Sequence, residues 1–243
     1  MPSYHLKHIC RLVVLALLTL TSTNPVSAQD DSAFVDARER MITTQLIPRG
    51  IDNDRVLDAF RAVPRHLFVD SSLRAYAYRD YPLPIEADQT ISQPYIVALM
   101  TQLVDPQPTD TVLEIGTGSG YQAAILAELC AHVFTIEIVD TLAAISTKRL
   151  EQLGYENVTV RHGDGYAGWP EQAPFDAIVV TAAPARIPQP LLDQLAEGGQ
   201  LVIPVGTAYQ ELRLVTKRDG KIHEERITAV RFVPMTGKAQ EED

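Results

Sequence analysis

The stretch Val112-Leu113-Glu114-Ile115-Gly116-Thr117-Gly118-Ser119-Gly120-Tyr121-Gln122 constrains the fold more than any other, because an apolar run meets three glycines spaced two apart and then a helical pattern. It reads as strand, tight turn and helix. Glycines at such a turn permit positive φ and close approach of the backbone to a ligand, and the free N–H groups of the helix start favour anionic or hydrogen-bond-accepting groups. The spacing is acidic-x-G-x-G-x-G and not the G-x-G-x-x-G of dinucleotide sites. A carboxylate at Glu114 repels a phosphate but accepts hydrogen bonds from an ammonium or hydroxyl, so the expected ligand is a cationic nucleoside such as S-adenosyl-L-methionine. Glycines needed only for packing are the alternative reading.

Downstream, strands and helices alternate. A helix over Tyr121–Leu129 leads to the strand Val133–Glu137, and an acid about 20 residues past a glycine turn accepts hydrogen bonds from ribose hydroxyls in nucleotide-binding folds, which makes Glu137 a candidate ligand. A helix to Leu153 closes with Gly154, and Val158–Val160 forms the next strand. Gly163-Asp164-Gly165 follows where such sheets place ligand loops, so Asp164 is expected to accept from an adenine amino group with Gly165 beside it; a plain Asp-Gly turn looks the same. Phe175–Thr181 is a buried strand, a helix around Leu191–Leu195 runs to Gly198-Gly199, and Leu201–Gly206 is a fifth strand. Glu211–Lys217 and Ile222–Val233 flank the turn Arg218-Asp219-Gly220-Lys221, and Lys238–Asp243 is expected to fray.

Before the glycine turn, helices over Phe34–Ile47 and from Asp52 or Asn53 to Pro64 have no place in a minimal sheet-and-helix core. They form an expected cover. Tyr76–Asp88 lacks a regular period and reads as an ordered loop delivering Thr90-Ile91-Ser92-Gln93-Pro94-Tyr95, with Ser92 as N-cap and Pro94 in the first turn of a helix to about Val104. The expected fold is α/β: a Rossmann-like, doubly wound, mostly parallel sheet with an antiparallel C-terminal hairpin and an N-terminal helical cover. Residues 29–105 make the cover and substrate loop and 106–243 the core.

Residues 1–28 differ in kind. Lys7 and Arg11 precede the apolar run Leu12–Leu20, and Val26-Ser27-Ala28 offers small residues for cleavage, as in a secretory signal peptide. The expectation is an exported, periplasmic protein without stable membrane association after cleavage; the alternatives are an uncleaved membrane anchor, or an artefactual upstream start codon and a cytoplasmic protein. Cleavage after Ala28 removes Cys10 and leaves Cys130 alone, which excludes an intramolecular disulfide. The net charge of -10 argues against nucleic acid as a partner, and no Cys/His cluster has zinc-site spacing, so no metal is expected.

Taken together, Thr90-Ile91-Ser92-Gln93-Pro94-Tyr95, Glu114 to Gln122, His162-Gly163-Asp164-Gly165, Pro174 to Ala183, Pro204-Val205-Gly206 and Arg231-Phe232-Val233-Pro234 make the chain resemble the protein-L-isoaspartate O-methyltransferases over about residues 35–235. The resemblance implies methylation of the free α-carboxylate of L-isoaspartyl residues in damaged proteins and peptides, with S-adenosyl-L-methionine as donor. A monomer is the expected working unit. It places Ser92 at the active-site serine position, Glu114, Gly116, Thr117, Gly118, Gly120, Glu137, Asp164 and Gly165 at the cofactor, and Ile91, Gln93 and Val233 with Ser92 along the peptide cleft. Bacterial relatives often carry glycines where this chain has Glu86-Ala87-Asp88. A methyltransferase for another carboxylate or a small molecule, and an exported binding module without turnover, remain open at this point.

Overall fold

The computed structural model describes Met1 and residues 28–241. The expected leader thus lies outside the described residues except at its two ends, and among the described residues no helix is long and apolar enough to cross a membrane.

Helix α1 (Ala28–Met41) widens into a π turn over Ile42–Leu46 and then tightens into a 3-10 turn over Ile47–Arg49, closed by Gly50, whose φ of 88° reverses the chain. Helix α2 (Asp54–Ala62) is capped by the Asn53 side chain, which accepts from the N–H groups of Arg55 and Val56 at 3.0 and 3.4 Å. The segment read as an ordered loop contains one short strand, β1 (Leu83–Pro84), which pairs antiparallel with β2 (Thr90–Ile91) just beyond it and closes a hairpin.

Helix α3 (Pro94–Val104) corrects one expectation. Its N-cap is Gln93, not Ser92, and the cap comes from a distant residue: Asp80 Oδ1 accepts from Tyr95 N at 3.0 Å, while Gln93 Nε2 donates to Asp80 Oδ2 at 2.8 Å. With Asp80 satisfying the helix start, the Ser92 hydroxyl is left out of it.

The main sheet has the order β5-β4-β3-β6-β7-β8-β9, with β3 (Thr111–Ile115), β4 (His132–Glu137), β5 (Val158–His162), β6 (Phe175–Val180), β7 (Leu195–Val205), β8 (Gln210–Arg218) and β9 (Lys221–Val230). The first five are parallel and the last two antiparallel. Helices α4 (Tyr121–Ala127), α5 (Asp140–Gln152) and α6 (Gln189–Asp193) complete the layers. Strand alternation sends Val112, Val133 and Val179 into one core and Leu113, Ile115, Ile136 and Ile178 into the other. The first core also holds Met41, Ile42, Leu46, Val56 and Phe60, so the amino-terminal helices are packed into the sheet.

Strand β7 starts earlier than the glycines suggest. Helix α6 stops at Asp193, Leu195 already pairs with Phe175, and residues 196–199 bulge out before Gln200 pairs with Ala177. Gly198, at φ 82°, makes that bulge. Glu197 in the bulge accepts hydrogen bonds from the N–H groups of Asp219 and Gly220, the two central residues of the β8–β9 turn, both with positive φ. The C-terminal residues up to Gln240 are not frayed: Gly237–Gln240 form a 3-10 turn, Ala239 is buried, and Lys238 N donates to Asp164 Oδ2 at 2.8 Å.

Candidate active site

Strand order reverses between β3 and β6, and the carboxyl ends of parallel strands at such a switch point border a crevice. Here the crevice is a cavity of about 850 Å³, within the range of small-molecule sites.

The glycine turn after β3 forms its floor. Gly116, Gly118 and Gly120 have φ of 95°, 51° and 87°, in the left-handed region that glycine adopts without strain. Gly116 N donates to Ile136 O at 2.8 Å, which pins the turn to β4, and a Cβ on Gly116 would collide with Thr181 Oγ1. The Thr181 hydroxyl lies 2.7 Å from Gly116 O and 3.0 Å from Ile115 O. At the tip of β4, Glu137 accepts from Gly118 N at 2.8 Å and from Val139 N at 2.9 Å. Each of its oxygens keeps lone-pair capacity for a ligand hydroxyl.

Ile91, Ser92 and Gln93 form a second wall and Val233 a third, and the cavity brings them together with Gly116, Thr117, Gly118, Glu137 and Gly165. Ser92 is partly buried, and its hydroxyl makes no hydrogen bond among the described residues. Gly165 carries no side chain for a packing reason as well, since a Cβ there would collide with Ile115 Cγ2.

Three expected ligands fall outside the wall. Gly120 caps helix α4 against Leu150 and does not line the cavity. Asp164 has turned its carboxylate onto the chain itself, with Oδ1 accepting from Tyr166 N at 2.9 Å and Oδ2 from Lys238 N. It staples the C-terminal turn to the ligand loop. Glu114 is the largest correction, because alternation along β3 points it to the face opposite Leu113 and Ile115, where it is fully buried.

Burial pushes the Glu114 carboxyl up to about 8; the hydrogen bond with the Thr135 hydroxyl works against that shift and the charge of Glu137 adds to it. At neutral pH it holds its proton. Thr135 Oγ1 lies 2.7 Å from Thr117 Oγ1, so a chain of hydrogen bonds runs from Glu114 through Thr135 to the floor of the cavity. The acid beside the glycines therefore acts as a neutral internal strut and not as an exposed anion facing an ammonium.

Among the wall residues to which the sequence reading gave no site role are Arg49, Gln122, Thr181 and Arg231. Arg49 lies over the Tyr95 ring, 3.3 Å from its centroid, and pairs with Asp80. The Arg-Phe-Val-Pro run at 231–234 gave a signal for Arg231; the other three belong to elements whose periodicity says nothing of the cavity.

The volume and the free acceptor capacity of Glu137 at the end of β4 fit a nucleoside whose ribose hydroxyls donate to it. Comparison with known proteins gives the same direction. A sequence model of the family described as protein-L-isoaspartate(D-aspartate) O-methyltransferase matches residues 37–240. Protein-L-isoaspartate O-methyltransferase 1 of Syntrophobacter fumaroxidans is 57% identical over 206 residues, covering 84% of this chain and 96% of that protein. The enzyme of the same name from Opitutus terrae is 55% identical over 228 residues, 93% of this chain and 97% of its own. Among solved structures, a protein-L-isoaspartate O-methyltransferase superposes with a TM-score of 0.77 at 32% identity, covering 83% of this chain and 67% of that one. A protein from Plasmodium falciparum, described as a putative enzyme of this kind in complex with S-adenosyl-L-homocysteine, superposes with a TM-score of 0.71 at 27% identity, covering 84% and 98%.

Proposed function

The chain belongs to the protein-L-isoaspartate(D-aspartate) O-methyltransferase family, and on that premise we propose that its cavity holds the free α-carboxylate of an L-isoaspartyl residue against the methyl donor, with Ser92 orienting the carboxylate. It is a protein-repair methyltransferase that uses S-adenosyl-L-methionine. The observation that carries the role of Ser92 is its hydroxyl, partly buried in the wall and committed to no partner among the described residues.

When bound, the cofactor supplies an electrophilic sulfonium methyl group. Glu137 and the Gly116–Gly118 turn hold its nucleoside, Glu137 through ribose hydroxyls and Gly165 by leaving room at the base. The α-carboxylate of the substrate, with an ordinary pKa of about 3.5, is already ionised at neutral pH, so no general base is required of the chain. The chain aligns and dehydrates. Ser92 donates to the carboxylate or its adjoining backbone, Ile91 and Val233 supply apolar walls that keep water out, and Gln93 lines the cleft while its amide ties the loop to Asp80. Glu114, Gly120 and Asp164 act behind the wall, holding the turn and the ligand loop in place.

The test is methyl transfer from labelled S-adenosyl-L-methionine to one peptide in matched L-isoaspartyl and L-aspartyl forms. Transfer to the isoaspartyl form alone is the expected result. Equal transfer to both forms would move the acceptor to another carboxylate, and peptide binding without any transfer would favour a binding module. Export rests on Lys7, Arg11 and the apolar run before Ala28. It predicts a mature chain beginning near Gln29 in a fractionated cell, where recovery of the intact amino terminus in the cytoplasm would refute it.

A further inference from the structure

Two segments far apart in sequence line the cavity: the β1–β2 hairpin running on into Ser92, and the segment after β9 with Val233. Four charged side chains line the cavity among the described residues: Arg49, Asp88, Glu137 and Arg231. Two are committed internally. Arg49 is stacked on Tyr95 and paired with Asp80, and Glu137 is buried with both oxygens on backbone N–H groups. The other two, Asp88 and Arg231, are exposed and make no ion pair or side-chain hydrogen bond among the described residues.

They belong to two separate segments of the cavity wall and make no ion pair with each other. Asp88 precedes Ser92 by four positions and Arg231 precedes Val233 by two. Asp88 is held where it is at a conformational cost: Ala87 and Asp88 both have φ of 56°, a region open to glycine and unfavourable for a residue with a Cβ. The turn is fixed by Ile85 N donating to Gln89 O at 2.9 Å and by Glu86 facing Arg149 at 3.8 Å, so this aspartate is a built feature of the rim. Arg231, unpaired among the described residues, belongs to a chain of net charge -10, whose general field disfavours acidic peptides.

From this placement we infer that Asp88 and Arg231 form a bipolar rim that selects isoaspartyl peptides by the order of charges flanking the damaged residue, a basic side chain on the flank that passes Asp88 and an acidic one on the flank that passes Arg231. The inference rests on the peptide-methylation reading above. Arg231 is not a partner for the reacting carboxylate, because a tight ion pair there would stabilise the ground state of the nucleophile and slow its attack. Its role is specificity. An exposed charge pair is worth about a two- to fivefold preference at low salt, and that preference is screened as ionic strength rises.

The experiment compares three isoaspartyl peptides of one length: basic side before and acidic side after the isoaspartyl residue, the reverse order, and a neutral reference. Two readouts are taken, kcat/KM for methyl transfer and the peptide Kd by fluorescence anisotropy with S-adenosyl-L-homocysteine present. The ratio between the two charged peptides is formed within each variant, so changes in folding or cofactor affinity cancel. The expected result is a ratio of roughly fivefold in the wild type at low salt. It falls partway with Arg231→Gln or with Asp88→Asn, an Asn being tolerated at positive φ, and reaches unity in the double variant and in the wild type at high salt. A wild-type ratio of one, or a ratio that survives the double variant, overturns the inference even if the neutral peptide is methylated; failure to methylate the neutral isoaspartyl peptide overturns the underlying reading instead.

Discussion

Replacing Glu114 with Gln separates two readings of the acid beside the glycine turn. As an anion facing the cofactor, its loss would weaken cofactor binding. As the buried neutral strut, it leaves the cavity intact and acts on stability alone. The carboxyl titrates at an ordinary 4.5 when unfolded and at about 8 in the folded chain. Between those values the folded state binds more protons than the unfolded state, so this group's contribution to stability is fully present below pH 4.5, is lost as pH rises toward 8, and changes no further above it. Each pH unit in that window is worth about 1.4 kcal/mol, so the slope from pH 5 to pH 8 amounts to up to about 4 kcal/mol. Glu114→Gln has no proton to lose, and its amide oxygen accepts from the Thr135 hydroxyl as the Glu114 carboxyl does. Urea unfolding at pH 5, 6.5 and 8 is expected to show the variant gaining on the wild type as pH rises, and calorimetry at pH 7 an unchanged Kd for S-adenosyl-L-homocysteine. Parallel stability curves together with a tenfold weaker Kd would return Glu114 to the cofactor.

Ser92→Ala removes one hydrogen bond to a charged group, so kcat is expected to fall about 10- to 100-fold while cofactor Kd stays close to wild type; an equal loss in Kd measured by calorimetry would point to a structural role. Glu137→Ala should weaken S-adenosyl-L-homocysteine about 10- to 100-fold through lost charged hydrogen bonds, and an unchanged titration would remove the ribose assignment. Gly116→Ala meets Thr181 Oγ1 at a φ of 95°. It should cost about 1–3 kcal/mol in thermal or urea unfolding, and a wild-type midpoint would show that the turn relaxes freely.

The parallel strands were readable because both of their faces are covered, which gives Val112-Leu113, Ile178-Val179-Val180 and Leu201-Val202-Ile203 continuous apolar runs. That same double burial hid the direction of Glu114, since neither neighbour marks a solvent face. Local chemistry also misplaced the cap of α3: Ser92 is a good cap by residue type, but Asp80 supplies the acceptor from an earlier loop, and no spacing rule reaches that far. Arg65 is the extreme case. It is fully buried, donating to Ala77 O at 2.7 Å with its guanidinium 4.8 Å from the centre of the Tyr121 ring, and burial lowers its pKa to about 10. A charged residue in a helical connection reads as surface until the tertiary structure closes over it. Of the site, the glycine turn, Glu137, Gly165 and the Ser92 loop were legible because each sits at a strand or helix end. Asp88 and Arg231 were not, because their meaning depends on two segments distant in sequence lining one cavity.

The clamp of Glu197 on the β8–β9 turn bears on how long this protein lasts. An Asp-Gly peptide isomerises when the glycine nitrogen attacks the aspartyl carboxyl carbon, and Asp219-Gly220 is such a dipeptide, exposed at the tip of a hairpin. Glu197 accepts from the N–H groups of both residues, with the Gly220 nitrogen held at 3.1 Å. That nitrogen must leave its carboxylate before the ring can close. While that hydrogen bond holds, the Gly220 nitrogen is kept from the ageing reaction whose products the enzyme repairs in other chains.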